Sequence, residues 1–179
     1  VEALNVENFF IVADQNQQIT EENSSQADLL DALGLEKDDL IHLKENWRNT
    51  TPISAFANYF YTDKSSEKPA LPKKPSAHVP ILYEYKMLES AKELILSSYD
   101  NDPSKLIGLF VANENKRGYW AKYLKNDHKQ RREAAPIVST YYSDQKGSVN
   151  IDFSQGGIVV LNDKSVKGIE FDEVFIIID

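Results

Sequence analysis

Two kinds of apolar pattern alternate along this chain. Short runs rich in β-branched and aromatic residues predict strands, and longer stretches with apolar residues at every third or fourth position predict amphipathic helices. Strands are predicted at 9–13, 40–43, 81–85, 106–112, 137–142, 158–161 and 174–178. Several of these runs are apolar throughout, as strands covered on both faces are. The alternation is typical of βαβ units on a mostly parallel sheet, which predicts an α/β fold.

The ends of the predicted helices carry recognisable signals. Ser25 and Asp28 form a predicted capping box, and Gly34 is placed to end the same helix. Two further helices are predicted over 87–99 and 114–125. The last helix also carries three aromatic residues at helical spacing, and we expect them to pack in the core: Tyr119, Trp120 and Tyr123.

Prolines mark the start of another helix and a connector. Thr51 followed by Pro52 predicts an N-cap and a first helical turn. The stretch 63–80 holds four of the seven prolines among several lysines, and it predicts an extended connector that crosses the surface flexibly. The apolar residues of the helix that begins at Thr51 share one face: Ile53, Phe56, Ala57 and Phe60.

Length, composition and charge limit the number of domains and exclude several classes of protein and of binding site. A chain of 179 residues is long enough for one sizeable core and too short for two ordinary domains. No apolar run approaches the ~20 residues that cross a bilayer, and the chain opens without a signal pattern, so we expect a soluble, cytoplasmic protein. The absence of cysteine excludes disulfides and thiolate metal sites. The net charge of -8 argues against a broadly basic surface, so any nucleic-acid contact must be local.

Three short segments carry the most specific information. They lie at 13–19 (Ala-Asp-Gln-Asn-Gln-Gln-Ile), 46–50 (Asn-Trp-Arg-Asn-Thr) and 167–176 (Lys-Gly-Ile-Glu-Phe-Asp-Glu-Val-Phe-Ile). Together they resemble ATP-site motifs of the UvrD/Rep-type superfamily 1 DNA helicases, in that family's order. The resemblance implies a RecA-like (P-loop NTPase-type) three-layer α/β domain with a mostly parallel sheet.

The resemblance also implies how the chain is organised. Residues 1–36 would be the end of a first RecA-like domain or an N-terminal extension. Residues 37–179 would form the second RecA-like domain, with the extended linker at 63–80. Too few residues lie between 124 and 158 for the large accessory domain that UvrD and Rep insert there. The chain is therefore expected to be a piece of a larger, compact helicase.

Four residues are implied to contact the nucleotide. Arg48 matches the arginine that contacts the γ-phosphate of ATP, and a guanidinium can donate two parallel hydrogen bonds to phosphate oxygens. Gln17 matches the glutamine that senses the γ-phosphate and links the nucleotide to the DNA. Glu170 matches the glutamate that binds the ribose, and Gly168 allows a tight turn or a close backbone approach beside it.

Each of these assignments has a structural alternative. Arg48 could form a surface ion pair with a carboxylate such as Glu45. Gln17 could belong to an ordinary turn, because Asp and Asn beside it are turn formers. The segment 167–171 could be a turn that enters a strand, and Phe171 is expected in the core under either interpretation.

Three other residues match positions where the family contacts nucleic acid. Lys164 and Ser165 are implied to lie near a phosphate of the strand. Thr20 stands where the family has a tyrosine, and without an aromatic face it cannot stack on a base. The implied nucleic-acid partner is single-stranded DNA or a junction of duplex and single strand.

The chain also lacks parts that an ATPase needs. It contains no Gly-x-x-x-x-Gly-Lys-Ser/Thr loop and no paired acidic box for Mg²⁺. ATP and Mg²⁺ are therefore expected as cofactors of the intact protein, and this fragment alone is predicted to be inactive. Its expected partners are the missing N-terminal RecA-like domain and, in the cell, RNA polymerase or a nuclease.

Two alternative functions stay open at this point. A helicase-derived interaction module could have this fold and no longer hydrolyse nucleotide. An RNA-polymerase-recycling ATPase of the HelD-like kind would share the active site and differ in its partner.

Overall fold

The chain divides into two compact units, Val1–Tyr83 and Glu84–Asp179. The structure is a computed structural model. It describes residues 11–12, 25–41, 48–62, 68–126, 136–140, 155–162 and 169–178. The predicted domain boundary between residues 36 and 37 stays a prediction.

The second unit is built on a parallel sheet. Its four strands are β1 (Leu106–Val111), β2 (Val138–Thr140), β3 (Gly157–Asn162) and β4 (Glu173–Ile176). Their order across the sheet is β2-β3-β1-β4, and every pair is parallel. The predicted α/β class with a parallel sheet is therefore confirmed.

Two helices cover one face of this sheet. They are α3 (Leu88–Asn101) and α4 (Glu114–Lys125), and α4 has the bounds that the sequence predicts. Asn113 is the N-cap of α4, and its side-chain oxygen accepts a hydrogen bond from the Lys116 amide at 3.0 Å. This face holds the main core, which consists of Ala91, Ile95, Leu96, Ile107, Leu109, Val111, Trp120, Ala121, Leu124, Val138, Ile158, Val160 and Ile177.

The opposite face carries a smaller apolar cluster. Its buried residues are Leu106, Val159 and Leu161, and Ile169 and Phe171 pack against them. These last two residues belong to the chain that leads into β4. Helices, sheet and this covering segment make three layers, which explains why β1 is apolar throughout and β3 is apolar up to Leu161.

The aromatic residues of α4 have different environments. Trp120 is 1% exposed and belongs to the core, as predicted. Tyr123 is partly buried against the same core. Tyr119 is 50% exposed, so the prediction that it packs in the core is wrong. Its ring lies 5.5 Å from that of Tyr123, on the outer side of the helix.

The first unit contains α1 (Gln26–Leu33) and α2 (Thr51–Ala57), with 3-10 turns at Lys37–Asp39 and Asn58–Phe60. The capping box that begins α1 is confirmed. The Asp28 amide donates to the Ser25 hydroxyl at 3.2 Å, and the Asp28 carboxylate accepts from the Ser25 amide at 2.8 Å. The hydrogen bond from the Ser25 hydroxyl lowers the pKa of Asp28. Gly34 ends this helix at φ 63°, as predicted.

Two predicted strands are wrong for the residues that the structure describes. Residues 81–85 form no strand, and Ile81 and Leu82 are 84% and 88% exposed. Leu40 and Ile41 are likewise outside any strand, and residues 42–43 lie outside the described part of the chain. An apolar run becomes a strand only when a neighbouring strand pairs with its backbone, and no described strand does so here. Of the predicted strand 9–13, residues 11–12 are described and are not in a strand.

Across the described ranges, helices are too short or too polar to cross a bilayer.

Candidate functional site

Two of the seven predicted site residues lie in the described part of the chain. Arg48 belongs to the first unit and Glu170 to the second. The other five lie outside the described residues, so their assignments stay predictions: Gln17, Thr20, Lys164, Ser165 and Gly168. Whether Arg48 and Glu170 converge on one nucleotide also stays a prediction.

Arg48 is solvent-exposed and lies in a bend that leads into α2. Its backbone carbonyl accepts a hydrogen bond from the Lys74 ammonium at 3.4 Å. The position was predicted to follow a strand at 40–43, but the described residues of that run are not in a strand. Within the described residues, this bond joins the Arg48 backbone to the connector that contains Lys74.

The start of α2 differs from its prediction by one residue. Thr50 is the N-cap, and its side chain makes no capping bond. Thr51, which was predicted as the cap, is the first helical residue. Its amide donates to the Lys74 carbonyl at 2.8 Å and its hydroxyl to the Pro72 carbonyl at 2.6 Å. The connector therefore satisfies an N–H group that every helix start leaves unpaired.

Two hydroxyls near this helix start are buried without a hydrogen-bond partner among the described residues. They are Thr50 Oγ1 and Ser54 Oγ. Ser54 is also the buried residue of α2, whereas the predicted apolar face is largely exposed, with Phe60 at 68%. A buried hydroxyl without a hydrogen-bond partner lowers the stability of the fold, so both positions carry a cost.

Glu170 is exposed between two residues that anchor the chain. Ile169 and Phe171 pack on the smaller apolar cluster, and the Phe171 ring meets Phe110 edge to face at 5.6 Å. Phe171 is partly buried, in agreement with its prediction as a core residue. The carboxylate of Glu170 therefore stands on a short segment whose neighbours are fixed on both sides.

A glycine in the central strand makes room for this anchor. A Cβ atom at Gly108 would lie 2.9 Å from Cγ of the Phe171 ring, closer than van der Waals contact permits. Only a residue without a side chain lets the ring lie flat against β1 at this point. Sequence reasoning missed Gly108, although a glycine inside an apolar strand is a signal of close approach.

The two acidic residues after Phe171 are structural. Asp172 exchanges hydrogen bonds with Leu106: its carboxylate accepts from the Leu106 amide at 2.8 Å, and its amide donates to the Leu106 carbonyl at 2.9 Å. The Glu173 carboxylate accepts from the Ser98 hydroxyl at 2.6 Å and lies 3.8 Å from the Lys105 ammonium. Both residues fix the start of β4 and thereby the segment that carries Glu170.

A separate polar cluster joins α3 to α4. The Lys92 ammonium lies 2.7 Å from the Glu89 carboxylate and 4.4 Å from the centre of the Tyr123 ring. The Tyr123 hydroxyl donates a short hydrogen bond to the same carboxylate. Burial, followed by this hydrogen bond, raises the pKa of Tyr123 to about 12. Lys92 is 6% exposed, and a buried lysine needs such partners.

Metal binding has no candidate in the described residues. No three His, Asp or Glu side chains within the described ranges come together as a possible ligand set. In general chemistry, a guanidinium such as that of Arg48 can donate to phosphate oxygens, and a carboxylate such as that of Glu170 can accept a hydrogen bond from a hydroxyl.

No family model, curated protein or solved structure matches the chain. Inference about its function therefore depends on the motif residues and on the structure that surrounds them.

Proposed function

We propose that this chain is part of an ATP-dependent DNA helicase or translocase of the UvrD/Rep type. It would contribute contacts to the γ-phosphate, the ribose and single-stranded DNA. The observation that carries the proposal is the order of the three motifs, combined with the anchoring of the last one. In that motif, Glu170 is exposed between Ile169 and Phe171, and these two residues pack against the smaller apolar cluster of the parallel sheet.

Arg48 would contact the γ-phosphate. Its side chain is exposed, and its backbone is held by a hydrogen bond from Lys74. A guanidinium in such a place stabilises negative charge on the phosphoryl oxygens most strongly as the phosphoryl group is transferred. Glu170 would accept a hydrogen bond from a ribose hydroxyl, and its anchored neighbours limit the entropy lost when it does so.

The remaining contacts follow from the resemblance. Gln17 would respond to the γ-phosphate, and Gly168 would allow the backbone to approach the nucleotide. Lys164, Ser165 and the segment around Thr20 would contact the DNA strand. In the intact protein, the phosphate loop and the Mg²⁺ ligands would come from an N-terminal RecA-like domain, and closure of the two domains on ATP would move the DNA. RNA polymerase or a nuclease would be a further partner in the cell.

The test is the Arg48→Ala variant of the full-length protein, assayed for DNA-stimulated ATP hydrolysis. Because the arginine acts mainly as charge develops, kcat should fall by about 100- to 1,000-fold. KM for ATP should change much less. Arg48→Lys, which keeps the charge but not the paired donors, should restore part of the rate.

Lys68→Ala is a suitable control, because it removes an exposed cation from the same unit outside the motif. ATP turnover that stays normal in Arg48→Ala would exclude Arg48 from the mechanism and remove the main support for the proposal. Strand displacement on DNA and RNA duplexes, with release of stalled RNA polymerase as a separate readout, distinguishes a DNA helicase from a polymerase-recycling ATPase.

A further inference from the structure

The proline-rich connector lies along α2 and is joined to it by hydrogen bonds at both ends. At one end, the Asn58 amide group donates to the Pro69 carbonyl at 3.3 Å. At the other end, Thr51 donates to Pro72 and to Lys74. The helix and the connector therefore run antiparallel to each other. We call this set of bonds, together with the bond from Lys74 to Arg48, the helix–connector contact.

The lengths of the two partners match. Asn58, the C-cap of α2, is seven positions after Thr51, a rise of roughly 10 Å along a helix. Pro72 is three positions after Pro69, and an extended proline-rich chain covers roughly 9 Å in three steps. Prolines at 69, 72 and 75 restrict the unbound connector, so little further entropy is lost when it lies on the helix. Pro72 is buried in the contact.

Lys74 bonds to both sides of the short segment that presents Arg48. Its ammonium donates to the Arg48 carbonyl at 3.4 Å, and its carbonyl accepts from the Thr51 amide at 2.8 Å. Thr51 adds a second bond through its hydroxyl. The backbone from residue 48 to residue 51 is thus fixed at both ends by one connector residue.

We infer that the connector positions the Arg48 guanidinium, with Thr51 and Lys74 as positioning residues. The connector contacts the Arg48 backbone through the bond from the Lys74 ammonium to the Arg48 carbonyl. This inference rests on the proposed function, because it concerns the side chain that would contact the γ-phosphate. The inference adds that the contact of Arg48 with the γ-phosphate depends on the connector, a segment more than 20 residues further along the chain.

The first arm of the test measures hydrogen exchange at the Thr51 amide in the full-length protein. Thr51→Val removes the hydroxyl that bonds to Pro72 and keeps the branched shape. Loss of one ordinary hydrogen bond should speed exchange of this amide and its neighbours by about fivefold. Thr51→Ser keeps the hydroxyl and should exchange like the wild type. Lys74→Met should also speed exchange, and Lys74→Arg should restore it.

Ser54→Ala is the matched control for Thr51→Val. It removes a hydroxyl from the same helix that has no partner among the described residues, so exchange at Thr51 should not rise. Equal exchange in Thr51→Val and Ser54→Ala would overturn the inference that the helix–connector contact holds this segment.

The second arm measures ATP hydrolysis by the same variants. A misplaced guanidinium should lower kcat of Thr51→Val by about tenfold while KM for ATP changes by less than about twofold. Added to Arg48→Ala, the Thr51→Val change should cause no further loss, because it acts through Arg48. Faster exchange with unchanged kcat would overturn the positioning role, provided that Arg48→Ala itself lowers kcat.

Failure of the proposed function has a different signature. In that case Arg48→Ala leaves kcat unchanged, and the positioning role in catalysis falls with it. The exchange arm then still decides whether the connector fixes the Arg48 backbone.

Discussion

The parallel sheet of the second unit and the helix–connector contact of the first are stabilised by different interactions. The sheet buries apolar side chains on both faces, and Ile107, Leu109, Ile158 and Val160 are fully inaccessible to solvent. In the described residues of the first unit, the buried ones are Ser54 and Pro72, and hydrogen bonds join α2 to the connector. Glu170 stands between two residues that pack on an apolar cluster, whereas the Arg48 backbone is bonded to an exposed lysine of the connector. The two candidate site residues therefore have supports of different kinds.

Truncating a core residue of the sheet should have the largest effect on stability. Leu109→Ala should lower the free energy of unfolding of the second unit by about 2–5 kcal/mol, because it leaves a cavity in a fully buried site. Chemical denaturation followed by Trp120 fluorescence measures this in a Trp47→Phe background, where Trp120 is the remaining tryptophan.

Leu94→Ala is the matched control for this measurement. Leu94 lies on α3 in the same unit and is 42% exposed, so its truncation should cost less than about 1 kcal/mol. Equal losses for the two leucines would mean that the burial of β1 does not dominate the stability of the unit.

A second prediction tests how closely Glu170 is tied to the sheet. Gly108→Ala should destabilise the second unit by about 1–3 kcal/mol, because the new Cβ atom meets the Phe171 ring at 2.9 Å. Gly118→Ala is its control. Gly118 lies in α4 with open space around it, and alanine there should stabilise the helix by up to about 1 kcal/mol.

Gly108→Ala should therefore lower the midpoint of chemical denaturation, and Gly118→Ala should raise it. Adding Phe171→Leu to Gly108→Ala should recover part of the loss, since the smaller side chain leaves room for the Cβ atom. If the losses of unfolding free energy caused by the two substitutions simply add, the Phe171 ring does not depend on the space at Gly108. Glu170 is then less firmly anchored than we infer.

The smallest effect concerns the polar cluster between α3 and α4. Burial and the bond to Glu89 raise the pKa of Tyr123 to about 12 from an ordinary value of 10.0. The raised pKa means that the neutral phenol is favoured in the folded protein. The stability that the protonated Tyr123 phenol contributes is fully present below pH 10 and is lost as the pH rises towards 12.

Ultraviolet absorbance of tyrosinate, taken as the difference between the wild type and Tyr123→Phe, measures this titration. Circular dichroism recorded in parallel shows whether the protein is still folded. Glu89→Gln should lower the pKa of Tyr123 towards its usual value, because the carboxylate that favours the neutral phenol is gone. A difference spectrum that titrates near pH 10 in the wild type would contradict the buried, hydrogen-bonded environment of this hydroxyl.

Local elements with strong periodic or capping signals could be predicted from the amino-acid sequence. The α4 bounds and the Ser25 capping box agree with their predictions, and the described strands of the sheet lie at four of the predicted runs, with ends that differ by one or two residues. These signals act between residues close in the chain. The α/β class followed from the alternation of strands and helices.

Contacts between distant parts of the chain decided the features that a local sequence pattern cannot predict. The run at 81–85 has the composition of a strand but no described strand pairs with it, and Tyr119 has helical spacing but lies on the exposed side of α4. The support of the Arg48 backbone by Lys74 and the room that Gly108 gives to Phe171 both join residues far apart in the chain. Such contacts depend on how the chain folds back on itself, and the spacing of residues along the sequence does not encode them.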